Sequence, residues 1–199
     1  MKRIFDILFS IVGILILSPL FILIGIFVIL DSRGGMLFRQ ERIGKNGCEF
    51  KVLKFRTMHP GSAGKGALTI GKKDPRVTSV GYYLRNYKLD ELPQLFNVLM
   101  GDMSFVGPRP EVEKYTRLYT EEHKKKVLSV RPGITDFASI KFRNESEILA
   151  QSQDPEETYI KEIMPEKLRL NMKYIDNSNI FKDIFIIINT FYVLIKDRL

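Results

Sequence analysis

The sequence predicts an α+β fold that is mainly helical. It comprises an N-terminal re-entrant membrane helix, a small β-hairpin and a compact cytosolic helical domain with amphipathic helices at the membrane interface. Three observations predict it. Ile7 to Leu30 carries no charged residue and is dominated by Ile, Leu, Val and Phe. Two β-prone runs, Met36–Ile43 and Cys48–Met58, flank Gly44-Lys45-Asn46-Gly47, a hairpin signal. The rest alternates segments of helical apolar spacing with Gly- and Pro-marked turns. Residues 1–32 form the membrane unit and residues 33–199 the cytosolic domain.

The 24 uncharged residues of the N-terminal run extend about 36 Å as a helix, enough for a hydrocarbon core about 30 Å thick. The run is too long for a signal peptide, and no small-residue cleavage pattern follows it. Ser18-Pro19 lies near its middle, where proline removes a backbone hydrogen bond and kinks a helix. Lys2 and Arg3 precede the run and Arg33 follows it, so the positive-inside rule holds both flanks in the cytosol. A helix that enters, bends at Ser18-Pro19 and returns satisfies both facts. A plain span satisfies hydropathy, and many spanning helices contain proline, so both topologies stay open.

After the hairpin, residues 59–75 are rich in Gly, Lys and Pro and read as a loop. A short helix follows near Ser79–Lys88, then one that begins at Asp90-Glu91. There Leu92, Leu95, Phe96, Leu99 and Met100 recur at the spacing of one helical face. Gly101 to Pro110 is turn-rich, Glu111 to Leu128 reads as one polar helix, and Arg131-Pro132-Gly133-Ile134-Thr135 as a sharp loop. A helix starts near Asp154-Pro155 and runs into the 160s or 170s. Ile180 to Leu199 is amphipathic and too short to span. It either packs on the core, the preferred reading, or lies in the membrane interface.

The formal charge of +8 is local: Arg33 to Lys88 holds 13 basic residues against three acids. A basic block after an apolar segment points to lipid headgroups or a phosphorylated ligand. It contains no nucleic-acid motif, which argues against nucleic acid. The single Cys48 excludes an intrachain disulfide, and with only His59 and His123 beside it zinc is disfavoured.

Asp90-Glu91 is the candidate reaction centre. With Asp90 at or beside an N-cap and Pro93 in the first turn, unpaired N–H groups and the helix dipole would keep Asp90 ionised and attract a phosphate. An ionised carboxylate beside a phosphate site is a candidate nucleophile; alone, the pair reads as an ordinary cap. Arg56, Arg76, Arg85, Arg109, Arg131 and Arg143 each sit at an element end or in a turn, where a guanidinium can hold a phosphate at two points. Two carboxylates among arginines also suit Mg²⁺, held by Asp90 and Glu91.

The pattern closely resembles the bacterial sugar transferases, the monotopic phosphoglycosyl transferases. The matching features are the apolar run broken at Ser18-Pro19, Lys54-Phe55-Arg56-Thr57-Met58 and Asp74-Pro75-Arg76-Val77-Thr78. Leu89 to Val98, Gly101 to Pro110 and Arg131 to Thr135 complete the series. The likeness covers residues 1 to about 135 and is greatest to short members that lack a multi-span N-terminal domain. It implies transfer of a sugar-1-phosphate from a UDP-sugar to a polyprenyl (undecaprenyl) phosphate at the cytosolic face of the bacterial inner membrane. UMP is released, and this is the first membrane step of glycan assembly. It further implies a re-entrant helix, Mg²⁺ as cofactor and a covalent phosphosugar on Asp90, with Glu91 its partner at the metal and Arg143 a phosphate ligand.

Two departures bear on the donor sugar, for which an N-acetylated amino sugar is the favoured expectation. Asp136 to Asn144 replaces a Gly and Gln-rich stretch, and Asn171 stands near a family Asp. Rival readings are a membrane-attached UDP-sugar hydrolase and a non-catalytic scaffold subunit. Homo-oligomerisation is left open.

Overall fold

A 30-residue helix, α1 (Lys2–Asp31), opens the chain. The computed structural model describes residues 1–62, 68, 70, 71 and 74–196. α1 runs through Pro19 as one continuous helix, not as two helices separated at Ser18-Pro19. The reason is local. Pro19 has no N–H for the carbonyl of Leu15, four residues back, and the Ser18 hydroxyl donates to that carbonyl at 2.9 Å.

Both ends of α1 are fastened to the same body. Near the start, Lys2 Nζ pairs with Asp183 and donates to Tyr174 Oη at 3.1 Å. The Asp6 carboxylate accepts from Ser104 Oγ at 3.0 Å and from the Phe105 N–H at 3.2 Å. Near the end, Ile24 and Val28 are buried with Phe55 and Leu84. The other flank, including Leu8, Val12, Leu15, Ile16, Ile22, Ile26 and Leu30, is apolar and exposed.

The expected hairpin follows. β1 (Leu37–Ile43) pairs antiparallel with β2 (Glu49–Phe55), from Leu37 opposite Phe55 to Ile43 opposite Glu49. Of the loop expected over residues 59–75, residues 63–67, 69, 72 and 73 lie outside the described residues. α2 (Ser79–Asn86) is capped by Thr78, whose Oγ1 accepts from the Gly81 N–H at 3.0 Å. A 3-10 turn over Leu89–Glu91 then leads into α3 (Gln94–Met100) and β3 (Ser104–Val106).

The single polar helix expected over Glu111 to Leu128 is instead two, α4 (Glu113–Thr116) and α5 (Glu121–Val127). Thr120 separates them because its side chain accepts from the His123 N–H and starts a new helix. β4 (Gly133–Thr135) lies parallel to β3, with Ser104 opposite Gly133 and Val106 opposite Thr135. Both strands fall in stretches that read as turns from sequence. α6 (Phe137–Lys141), α7 (Glu145–Ala150) and α8 (Pro155–Thr158) come next. α8 starts where expected, with Asp154 Oδ1 accepting from the N–H groups of Glu156 and Glu157. It passes through a π turn, Tyr159–Ile163, into α9 (Met164–Asp176).

The main core joins Tyr115, Tyr119, Val127, Leu149, Tyr159, Ile163, Met164 and Leu168. The last helix, α10 (Ile180–Lys196), buries only Asp183 and Ile186 and exposes Phe181, Phe185, Ile188, Phe191, Tyr192 and Ile195. One narrow stripe of the helix packs on the core, in line with the preferred reading, and there Ile186 is buried with Val106 and Tyr174. The wider apolar face is left outward.

Candidate active site

Asp90 and Glu91 are held in place from three directions. Leu89 and Leu92 on either side pack into the cluster of Ile24, Val28, Phe55 and Leu84, so α1 and the hairpin grip the turn. α3 is docked onto β2 by the buried Asn97 amide, which accepts from the Leu53 N–H at 2.9 Å and donates to the Lys51 carbonyl at 2.8 Å. That docking sets Lys54, on the same strand face as buried Val52, with its Nζ 2.9 Å from Glu91 Oε1. The third direction is the β3–β4 pair. Gly107 and Gly133 approach so closely that a Cβ on Gly133 would lie 2.1 Å from the Gly107 nitrogen. This contact brings the loop after each strand side by side, and the Arg109 N–H donates to buried Asp136 at 3.1 Å. The Arg109 guanidinium then forks onto Glu91, with Nη1 3.1 Å from Oε2 and Nη2 on Oε1.

The two adjacent carboxyls consequently differ. Glu91 carries a fixed charge. Burial alone would raise its pKa, but Arg109 and Lys54 outweigh burial and hold it well below the usual range. Asp90 moves the other way, because burial and then the charge of Glu91 raise its pKa. Its Oδ1 is buried with no hydrogen-bond partner. Lys54, Lys88 and Arg85 partly offset the rise. Burial also lowers the pKa of Lys54 and Arg85, opposed by Glu91 and Asp90 respectively. Separated titration of neighbouring carboxyls is the pattern of sites that divide roles between two acids.

Asp90 is not a helix cap, which corrects the sequence reading. Lys88 adopts a left-handed conformation at φ 55°, the 3-10 turn closes over Leu89–Glu91, and α3 begins only at Gln94. The N–H groups and dipole expected to keep Asp90 ionised therefore do not serve it.

A cleft of about 1410 Å³ opens over the pair. Its walls include Lys54, Arg56, Arg76, Arg85, Arg109 and Arg143, while Arg131 is not among them. Arg131 Nε instead donates to the Gly101 carbonyl at 2.7 Å and braces the turn after α3. Arg56 closes the end of α1. Its Nη2 donates to the carbonyls of Val28 and Ser32 at 3.1 and 2.6 Å, and its Nη1 to that of Arg33 at 3.2 Å. Arg76 binds Asp74 through Nε and Nη2 and also reaches the Leu68 carbonyl. Arg85 Nε donates to Thr57 Oγ1 at 2.8 Å. Arg143 is exposed on the wall. Of these six arginines, Arg109 binds Glu91 directly and Arg85 helps to offset the rise at Asp90.

Sequence reasoning did not nominate Lys54 or Asp136. Lys54 lay inside a quoted motif, and its signal was an inward strand position beside a predicted acidic site. Asp136 caps α6 through the Ser139 N–H, a spacing readable as Asp-x-x-Ser.

The residues present fit Mg²⁺. A buried, unpartnered Asp90 oxygen next to a second carboxylate offers hard oxygen donors. Among the described residues no group of three or more His, Cys, Asp or Glu side chains forms a complete cage. Mg²⁺ ordinarily completes its shell with phosphate and water.

A family model for bacterial sugar transferases matches residues 1–197. The chain belongs to this family. Its relatives include the UDP-N-acetylgalactosamine-undecaprenyl-phosphate N-acetylgalactosaminephosphotransferase of Aeromonas hydrophila, 36% identical over 196 residues, covering 95% of this chain and 42% of the relative. The UDP-glucose:undecaprenyl-phosphate glucose-1-phosphate transferase of Escherichia coli (strain K12) is 38% identical over 200 residues, covering 96% of this chain and 39% of that protein. The exopolysaccharide production protein ExoY of Rhizobium meliloti (strain 1021) is 36% identical over 204 residues, covering 95% of this chain and 83% of ExoY. The chain thus spans about two fifths of the first two relatives. The matched range spans Asp90 and Glu91, the residues lining the cleft, and the long apolar helix α1.

Proposed function

We propose that this sugar transferase family member moves a sugar-1-phosphate from a UDP-sugar to a polyprenyl phosphate. UMP is released, and the transfer proceeds through a covalent phosphosugar on Asp90. The observation that carries the reading is the pairing of a buried, unpartnered Asp90 carboxyl with a charge-clamped Glu91 in a cleft lined by basic groups. The names of the relatives, which act on undecaprenyl phosphate and sugar nucleotides, support it.

In the first step an Asp90 oxygen attacks the phosphorus that carries the sugar. The bond from that phosphorus to the bridging oxygen breaks, and UMP leaves with the bonding electrons. In the second step a phosphate oxygen of the polyprenyl acceptor attacks the same phosphorus and the Asp90 carboxylate is released. Splitting the transfer lets a soluble donor and a lipid acceptor use the site in turn. Arg109, Lys54 and Arg85 supply positive potential to the phosphates. Glu91 is the fixed anion that keeps the two nearest cations oriented. Mg²⁺, held by Asp90 and Glu91, would neutralise phosphate charge during the transfer.

The same reading assigns residues 1–32 to the membrane and residues 33–199 to a cytosolic catalytic domain. α1 is long and apolar enough to cross a membrane by length and composition. Lys2 and Asp6 at its start and Val28 at its end all contact the one body, which supports α1 entering and leaving the membrane on the same side. The exposed apolar face of α10 and the cleft residues Phe9, Gly13 and Leu17 of α1 fit a lipid acceptor arriving from the cytosolic leaflet of the inner membrane.

The test is UMP release from UDP-sugars, with and without undecaprenyl phosphate. Transfer requires the lipid for sustained turnover. Equal release without it identifies a hydrolase, and no release with any donor identifies a scaffold.

A further inference from the structure

Among the described residues, the buried side-chain polar atoms without a hydrogen-bond partner are Arg56 Nε, Asp90 Oδ1, Ser139 Oγ and Asn171 Oδ1, and all four residues line the one cleft. Native proteins seldom leave such atoms unpaired without a reason. Arg56 belongs to the end of α1 and Asp90 to the reaction centre. Ser139 and Asn171 have no role in the chemistry above. They sit on α6 and α9, which pack against each other, and Asn171 is only 6% exposed.

Their distance from the dyad along the bonding network is short. Asp136 accepts from the Arg109 N–H with one oxygen and from the Ser139 N–H with the other. One buried carboxylate therefore joins the arginine that clamps Glu91 to the helix that carries Ser139. The pair is also neutral. An amide oxygen accepts, and a hydroxyl both accepts and donates. Neither oxygen suits a phosphate as the surrounding guanidinium and ammonium groups do, but both suit hydroxyl or acetamido N–H groups. In a UDP-sugar the anomeric oxygen is bonded to the very phosphorus that is attacked. The sugar ring therefore lies next to the reaction centre, and uridine lies one phosphate further away.

We propose that Ser139 and Asn171 form the wall that reads the sugar of the nucleotide donor, a role that rests on the transferase reading. Asn171 Oδ1 accepts a sugar hydroxyl or acetamido N–H, and Ser139 Oγ exchanges a hydrogen bond with a neighbouring sugar oxygen. Loss of either contact leaves a buried polar group unpaired against the correct donor, the situation in which polar discrimination between substrates is large.

The experiment compares wild type with Ser139→Ala, Asn171→Leu and Asn171→Asp in the full chain. Calorimetry measures binding of UDP, UDP-glucose, UDP-N-acetylglucosamine and UDP-N-acetylgalactosamine in Mg²⁺, and UMP release gives kcat/KM for each donor. Ser139→Ala and Asn171→Leu are expected to lower kcat/KM for the preferred donor by about 10-fold or more and to change the ratio between donors. The extra affinity of that donor over UDP should vanish while UDP affinity holds within about 2-fold. Asn171→Asp, which keeps the acceptor, should retain the wild-type order of donors, and with Ser139→Ala it carries the test if Asn171→Leu does not fold. Unchanged ratios, or an equal loss on every donor, overturn the proposal. A matching loss of UDP affinity overturns it in favour of a nucleoside contact. Wild type that binds UDP-sugars but releases no UMP overturns the transferase reading instead, and the binding data still decide the wall.

Discussion

Glu91 is the keystone of the charge arrangement, so Glu91→Gln is the perturbation with the most defined consequence. The substitution keeps the side-chain shape and removes one charge, leaving Lys54 and Arg109 facing each other without the carboxylate they share. The side chains of Glu91 and Lys54 are 14% and 18% exposed, whereas that of Arg109 is 36% exposed. Removing one partner of a fully buried pair costs about 3–5 kcal/mol. Water screens part of the Arg109 share, so we expect a loss of about 3 kcal/mol, or roughly 6–12 °C in Tm for a chain of this size.

The diagnostic is the double-mutant cycle with Lys54→Met. Alone, Lys54→Met leaves Glu91 paired with Arg109 and costs about 1 kcal/mol. In the Glu91→Gln background it removes a stranded cation and should be neutral or stabilising, a coupling of at least about 1 kcal/mol. Denaturant unfolding of detergent-solubilised protein, followed by circular dichroism, measures all four corners. Effects that add within about 0.5 kcal/mol would refute the clamp.

Three further outcomes follow from the same geometry. Asp90 must be ionised to attack, and its pKa is raised, so kcat/KM should fall on acidification at a pH above the ordinary Asp range. Lys54→Met removes a charge that lowers the Asp90 pKa, so it should move that acid limb to higher pH; a limb that stays put or moves down contradicts the assignment. Arg56→Ala removes three hydrogen bonds to carbonyls at the end of α1 and should destabilise the fold by about 2–4 kcal/mol, whereas Arg56 acting chiefly on phosphate would lower turnover with stability unchanged. Single cysteines at residues 2 and 33 in Cys48→Ser protein should react with an impermeant maleimide from the same side of the membrane, and opposite-side labelling makes α1 a plain span.

Features encoded by neighbours in sequence were legible. The hairpin follows from β-prone runs around a Gly-Lys-Asn-Gly turn, and α8 from Asp154-Pro155, because each depends on residues within a few positions. The state of Asp90 was not legible. The apolar spacing after it reads as a helix from residue 90 onward, yet Leu89 and Leu92 are drawn into the α1 and hairpin cluster, Lys88 turns left-handed, and the helix starts four residues later. The structure sets the Asp90-Glu91 pair on the cleft wall, with a different source for its electrostatics from the one expected. The β3–β4 pair was hidden because three-residue parallel strands leave no periodicity, and Gly107 and Gly133 reveal their role only when they meet. The arginines failed as a set for a related reason. Turns that make an arginine available to a ligand also present carbonyls, and for Arg56 and Arg131 the carbonyls are the partners.

The central claim is that Asp90 carries the phosphosugar. It is tested most directly by incubating the protein with a UDP-sugar labelled in the phosphate next to the sugar, quenching before acceptor is added, and mapping the label by mass spectrometry. The account predicts Mg²⁺-dependent label on Asp90, discharged by undecaprenyl phosphate and absent in Asp90→Asn. Undiminished label in Asp90→Asn, or no label at any time in protein that transfers sugar phosphate to the lipid, would contradict it.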